Sequence, residues 1–253
     1  MGKWLIIQEH IATVDGSHTL YSEKYQQHFH DIDTGAIKES LTKHVIPALE
    51  FHEKAQTLRI LDICFGIGYN TFSTIYYVLK HNIKSKLEIY SPELDEQLIT
   101  SLDTFHFPQE FDEIKHIIQA IAKEHYYEDE KFKIEVKIGD AREYIKTLNN
   151  IDVIYQDAFS VEVNKELWSV EYFKDIYHCA NENAIMTTYS VATNVRLSMF
   201  EAGFEIYEIK PVKKKQTLAF KNKQTIDAKY IDMILKQTRN KEAKALHDTI
   251  NNK

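Results

Sequence analysis

The stretch LRILDICFGIGYN, residues 58–70, decides the fold. Apart from Arg59 and Asp62 it runs apolar until Gly66 and Gly68, and TFSTIYYVLK (71–80) then predicts a helix. A short, nearly continuous apolar run is how a strand reads when a parallel sheet is covered on both faces. Glycines at its end let the backbone turn tightly and approach a ligand. Working outward, KLEIYSPE (86–93), KIEVKIGD (133–140), IDVIYQDAF (151–159) and AIMTTYS (184–190) read as further strands. AREYIKTL (141–148), SVEYFKDIYHCA (169–180) and VRLSMFEAG (195–203) read as helices between them, and FEIYEIKP and QTLAFK as a closing antiparallel pair. Alternating strands and helices imply βαβ units. The predicted fold is α/β and Rossmann-like: a mostly parallel seven-stranded sheet with helices on both faces.

Outside this core, Asp15-Gly16 sits between IIQEHIATV and SHTLYSEKY and predicts a β-hairpin, with a helix following from Ser40 to about Lys54. The insertion from Asp95 to Glu130 has helical periodicity. The expected organisation is a β appendage over 1–50, a core over 51–223 and a polar helical tail over 224–253, the last carrying Ile231, Leu235 and Leu246.

Composition narrows the setting. Hydrophobic residues make up 43% and charged residues 27% of the 253, as in ordinary globular chains. Two cysteines, Cys64 and Cys179, give neither a disulfide framework nor a zinc spacing. The apolar stretch Trp4–Ile7 is too short for the core of a signal peptide, and no run approaches the ~18 residues of a membrane span. These features predict a soluble, cytoplasmic protein. The net charge is −7, unevenly spread: residues 204–253 carry +6 and the rest −13.

Chemistry concentrates at the strand ends. Asp62, Phe65, Gly66, Gly68 and Asn70 surround the first turn. Glu93 ends the second strand, 25 residues after Gly68, where an acid can accept both ribose hydroxyls of a nucleoside cofactor. Gly139, Asp140 and Ala141 end the third strand, where a short carboxylate can reach an adenine amino group. Either acid alone is more often a solvated strand end. Thr71 stands where a GxGxxG fingerprint needs glycine, and no Gly-Lys-Ser/Thr follows, so neither NAD nor a P-loop nucleotide fits. An acidic set of Asp62, Glu93 and Asp140 suits a cationic nucleoside without phosphates, S-adenosyl-L-methionine.

The fourth strand end reads DAFSVEVNKELW (157–168). In that register it resembles the motif Asp-x-Phe-(Ala/Ser)-Pro-x-Lys-Asn-Pro-(Glu/Asp)-(Leu/Met)-Trp of the MnmC/MnmD tRNA methyltransferases. TLYSEKYQQHFHDIDTGAIKES, DICFGIGYN, SPE and YSVATNVRLSMFEAGF are similar to further segments of that family, so the likeness runs from about Thr19 to Lys221. It departs at Cys64, which replaces a motif glycine and predicts an adjusted turn. It departs again at Val161, Val163 and Lys165, which replace two prolines and a lysine and predict a less rigid loop.

The resemblance implies a class I S-adenosyl-L-methionine methyltransferase, in the stand-alone form without the FAD-dependent oxidase of long family members. The reaction the resemblance implies is methylation of the 5-aminomethyl group of the tRNA wobble (2-thio)uridine. Asp157 is the expected catalytic carboxylate, orienting the amine and stabilising the charge that develops on nitrogen. Phe159 either stacks on the uracil or packs in the core. Phe29, Glu39 and Ser160 are expected to line the substrate side. Lys213, Lys214 and Lys215 either hold tRNA phosphates or form a solvated face. His28, His30, Asp31 and Asp33 offer a metal-like cluster, but methyl transfer of this type needs no metal. Other readings of the same residues are a small-molecule amine methyltransferase, an aminopropyltransferase and a non-catalytic scaffold.

Overall fold

A computed structural model describes residues 10–210 and 214–248. The chain opens with two short antiparallel ribbons, β1 (Ile11–Ala12) with β2 (His18–Thr19) and β3 (Tyr21–Ser22) with β4 (Gln27–His28). The hairpin expected at Asp15-Gly16 is therefore present, with only two residues per strand. A helical stretch follows as α1 (Ala36–Ser40), a π-helical turn (Leu41–Val45) and α2 (Ile46–Phe51). It starts four residues before the predicted Ser40. Gly35 offers no side-chain cap, and Asp15 and Ser17 supply acceptors from the hairpin instead: Lys38 N–H donates to Asp15 Oδ2 at 2.9 Å and Ala36 N–H to Ser17 Oγ at 3.0 Å. A Cβ at Gly35 would lie 2.0 Å from Asp15 Cγ, so only glycine allows this clasp.

The core then alternates as read: β5 (Thr57–Ile63), α3 (Tyr69–Lys80), β6 (Lys86–Glu93), α4 (Glu96–Ser101), α5 (Lys115–Glu124), β7 (Tyr126–Glu128), β8 (Phe132–Ile138), α6 (Ala141–Ile145), β9 (Ile151–Gln156), α7 (Val170–Cys179), β10 (Ala180–Thr188), α8 (Thr193–Glu201), β11 (Glu205–Ile209), β12 (Gln216–Phe220), β13 (Lys229–Tyr230) and α9 (Met233–Arg239). The sheet has nine strands in the order β13-β11-β12-β10-β9-β5-β6-β8-β7. Its inner seven, from β11 to β8, are the seven predicted; six run in one direction and β12 is antiparallel to both neighbours. The two additions are short edges. β7 turns back on β8 inside the insertion expected to be helical, and β13 extends β11.

Two apolar cores result, one on each face. Leu58, Ile60, Phe72, Ile75 and Val78 belong to the first, with α1–α5. Leu61, Ile63, Phe173, Ile176 and Leu197 belong to the second, with α6–α9. Successive β5 residues thus pack on opposite faces, which explains the unbroken apolar run. The expected C-terminal helix covers only Met233–Arg239. Residues beyond it lie extended over α7 and α8: Val170 N–H donates to Leu246 C=O, and Arg142 holds Asp248 through two bonds of 2.9 and 2.7 Å. No helix of the described residues is long and apolar enough to cross a membrane.

Candidate active site

The carboxyl ends of the parallel strands open into one cavity of about 1070 Å³, roofed by the β3–β4 ribbon. Large α/β sheets bind ligands at this edge. Phe29, Glu39, Phe65, Gly66, Asn70, Glu93, Gly139, Asp140, Ala141, Asp157, Phe159 and Ser160 all line it. Eight carboxylates face it against two lysines, Lys24 and Lys43.

The first turn is built on left-handed backbone. Gly66 has φ 56° and Gly68 has φ 80°, and a Cβ on Gly68 would meet Phe72 at 2.4 Å and Phe65 at 2.8 Å. Cys64 also adopts φ 64°, a left-handed conformation rare outside glycine, and is held there by its surroundings. Glu93 closes the turn from β6. Its Oε2 accepts Gly66 N–H at 2.8 Å, and its Oε1 accepts Leu94 N–H at 2.8 Å and Asp95 N–H at 3.0 Å. Burial raises its pKa despite these donors. Asp140 caps α6 by accepting Arg142 N–H at 2.7 Å, and a Cβ at Gly139 would meet nothing within 4 Å.

Asp62 does not line this cavity. It is fully buried behind the wall, where Thr71 Oγ donates to it at 2.8 Å and Asn70 Nδ2 approaches at 3.5 Å. Its carboxyl orders the start of α3, and burial pushes its pKa up to about 7, with the Asp157 charge adding to the rise. Because the folded value lies above the usual 3.8, the stabilising contribution is complete at acid pH and is lost as pH rises through about 7. The thermal midpoint should therefore fall between pH 5 and 8 in the parent protein and stay level in Asp62→Asn. Equal slopes in a calorimetric pH series would contradict this assignment.

Asp157 lies just past β9, its side chain 19% exposed. Asn70 Nδ2 donates to its Oδ2 at 2.9 Å, and His44 Nε2 stands 3.4 Å from its Oδ1. His44 is fully buried on the π-helical turn, its Nδ1 2.7 Å from Thr187 Oγ. Burial alone would raise the Asp157 carboxyl. The His44 imidazole beside it, then Asn70 and Lys43, instead hold it down to about 2. Lys43 pairs with Glu39 one turn earlier and lies over the Tyr189 ring, 5.4 Å from its centroid. Sequence reasoning missed His44, Lys43 and Tyr189. No local motif marks them, because they join Asp157 only through the packing of the π-helical turn against β10.

The loop after Asp157 is tied down despite its missing prolines. Trp168 Nε1 donates to Phe159 C=O at 2.8 Å, Tyr189 Oη to Ala158 C=O at 3.0 Å, and Gln27 Nε2 to Ser160 Oγ at 2.7 Å. Phe159 packs among Tyr25 and Phe29 at 4.8 and 5.1 Å, and the Phe29 ring covers Gly66. His28 turns to Tyr21, and His30 to Tyr69 and Glu39. Lys214 pairs with Asp31 at the cavity mouth, and Lys215 with Glu208, 2.7 Å away. Lys213 lies outside the described residues.

An electrophilic nucleoside with a sulfonium and no phosphate fits this donor set. The turn presents carboxylates, and no cluster of lysines stands at the glycines. Fold and site together define a class I S-adenosyl-L-methionine-dependent methyltransferase domain. A family model for S-adenosyl-L-methionine-dependent methyltransferases matches residues 108–222. The crystal structure of MnmC2 from Aquifex aeolicus superposes with a TM-score of 0.81 at 28% identity, covering 97% of this chain and 80% of that one. The chain carries an MnmC-like methyltransferase domain. Protein MJ0670 of Methanocaldococcus jannaschii is 30% identical over 229 residues, which are 85% of this chain and 60% of that protein. The tRNA 5-methylaminomethyl-2-thiouridine biosynthesis bifunctional protein MnmC of Paracidovorax citrulli is 24% identical over 162 residues. The match takes in 60% of this chain and 25% of that protein, so the chain spans only part of the curated relatives it matches.

Proposed function

We propose that this methyltransferase methylates the primary amine of the 5-aminomethyl group on the wobble (2-thio)uridine of tRNA, giving 5-methylaminomethyl-(2-thio)uridine. The observation that carries the reading is Asp157: a carboxylate kept ionised by His44 and Asn70, in the cavity that the glycine turn enters. The likeness to MnmC2 supports the same reading.

The bound cofactor supplies an electrophilic methyl group on sulfur. In this reading Glu93 holds its ribose, with Gly66, Gly68, Phe65, Gly139, Asp140 and Ala141 around the nucleoside. Asp157 accepts an N–H of the substrate amine, orients its lone pair and stabilises the positive charge that grows on nitrogen. An anion with a pKa of about 2 does not take the amine proton at neutral pH, so the amine must enter in its free form. An alkylamine has a pKa of about 10, and the rate should rise with pH through the neutral range. Tyr25, Phe29 and Phe159 offer flat faces for a splayed base, and Glu39 and Ser160 line the substrate side.

Methyl transfer from labelled cofactor into tRNA bearing 5-aminomethyl-(2-thio)uridine tests this, with nucleoside mass spectrometry locating the label. Label entering polyamines and not tRNA would replace it with the small-molecule reading. A second measurement addresses His44. In His44→Gln the Asp157 carboxyl loses its imidazole partner, and burial then lifts it. The folded value below 3.8 means ionisation is lost only near pH 2 in the parent protein. Beyond the amine-limited fall that the parent also shows toward acid pH, the variant's kcat/KM should drop more steeply below about pH 5–6. Identical profiles would remove His44 from this role.

A further inference from the structure

Part of the positive charge of the C-terminal region gathers on one surface with Arg196. Arg196 on α8 is 2% exposed, and its Nε donates to Thr217 Oγ at 2.9 Å and its Nη1 to Glu208 Oε2 at 3.0 Å. Lys215 Nζ reaches the other Glu208 oxygen at 2.7 Å. Lys229 on β13 pairs directly with Glu208 in the sheet register, so their side chains share a face. Lys236 projects from α9, which packs on α8. Four cations thus surround a single carboxylate. The other nearby acid, Asp232, already accepts Leu235 N–H at 2.8 Å as the cap of α9. Among the described residues neither Lys229 nor Lys236 forms an ion pair, and Arg196 Nη2 has no acceptor. Glu205 and Tyr230 bond to each other on the opposite face of the sheet.

This cluster lies at the cavity end of the sheet. Thr217, which Arg196 touches, donates to Ser190 C=O at 2.6 Å, and the preceding Tyr189 lines the cavity. Lys214, beside Lys215, reaches Asp31 at the cavity mouth. A continuous basic edge therefore leads outward from an opening whose own lining is acidic.

We propose that Lys215, Lys229 and Lys236, backed by Arg196, bind the phosphodiester backbone of the polynucleotide substrate beside the nucleotide that enters the cavity. The proposal rests on the tRNA reading above for the identity of the polynucleotide. Three ammonium groups against one occupied carboxylate leave a surplus that phosphates neutralise with release of counterions. Partial burial, and then the charge of Arg196, lowers the Lys236 ammonium below its usual range, with Lys215 and Lys229 adding to the effect and Glu208 opposing it. A negative ligand relieves that repulsion. The cavity takes the amine-bearing base while this edge holds the neighbouring phosphates.

Binding of tRNA across a salt series tests the surface, using the full chain with Lys229→Gln/Lys236→Gln and, separately, Lys229→Glu/Lys236→Glu. The expected result is weaker tRNA binding, roughly tenfold for the charge reversal at moderate salt. The slope of log affinity against log salt should shrink by about 1 to 2. Calorimetric affinity for S-adenosyl-L-methionine should be unchanged, which verifies folding. If both variants keep the parent slope and affinity while the parent methylates tRNA, this surface is refuted and the tRNA reading stands. If the parent binds tRNA with the predicted loss in the variants but transfers no methyl to it, the surface stands and the proposed reaction falls.

Discussion

An Asp157→Asn enzyme is expected to lose about 10²- to 10³-fold in kcat, with little change in affinity for S-adenosyl-L-methionine. The asparagine keeps the shape and one acceptor but removes the anion that faces the developing ammonium, and one aimed electrostatic partner is typically worth this much in a site shielded from water. The surroundings of Asp157 sharpen the expectation. A half-wet aspartate on a surface turn would matter little, whereas this one is fixed by Asn70 at 2.9 Å and His44 at 3.4 Å. Single-turnover methyl transfer with saturating cofactor, together with calorimetry, separates chemistry from binding. A kcat within a few-fold of the parent would remove Asp157 from the reaction.

Glu93→Ala should act on the other half of the site, weakening cofactor binding by roughly 100-fold or more. Hydrogen bonds to a charged acceptor contribute about 1.5–3 kcal/mol each, and the two ribose hydroxyls of the nucleoside are the expected donors. Glu93 also holds the turn itself, accepting Gly66, Leu94 and Asp95 N–H groups. Glu93→Gln separates the two roles. It keeps one acceptor oxygen, enough for the Leu94 and Asp95 N–H pair, but turns an amide NH2 toward Gly66 N–H; cofactor affinity should be intermediate and the thermal midpoint only modestly lowered. Parent-like affinity in Glu93→Ala would place the cofactor elsewhere.

The sheet and much of the cavity lining were legible before any coordinates, and the reason is local. Strands buried on two faces must be apolar throughout, and a turn with positive φ at residues 66 and 68 calls for glycine, so both features are written in consecutive residues. Edge strands were not legible. β7 and β13 are short, bury little and carry no continuous pattern, and β7 depends on His125 taking a left-handed conformation before pairing with β8. Asp62 misled for a related reason. Its position beside the glycines marks it as a site acid, but side chains on a strand alternate faces, and this one turns inward to Thr71.

The sequence alone determined the α/β class, the order of the inner strands' elements, the glycine turn and the acids at the tips of β6, β8 and β9, because each is a property of a short window. Tertiary structure alone decided which groups share a space. It set His44 against Asp157 across 113 residues, laid Phe29 over Gly66, withdrew Asp62 from the cavity and collected Arg196, Lys215, Lys229 and Lys236 on one edge. Charge and proximity act through space over a few ångströms, so the site's electrostatics follow from packing that no single window of the chain records.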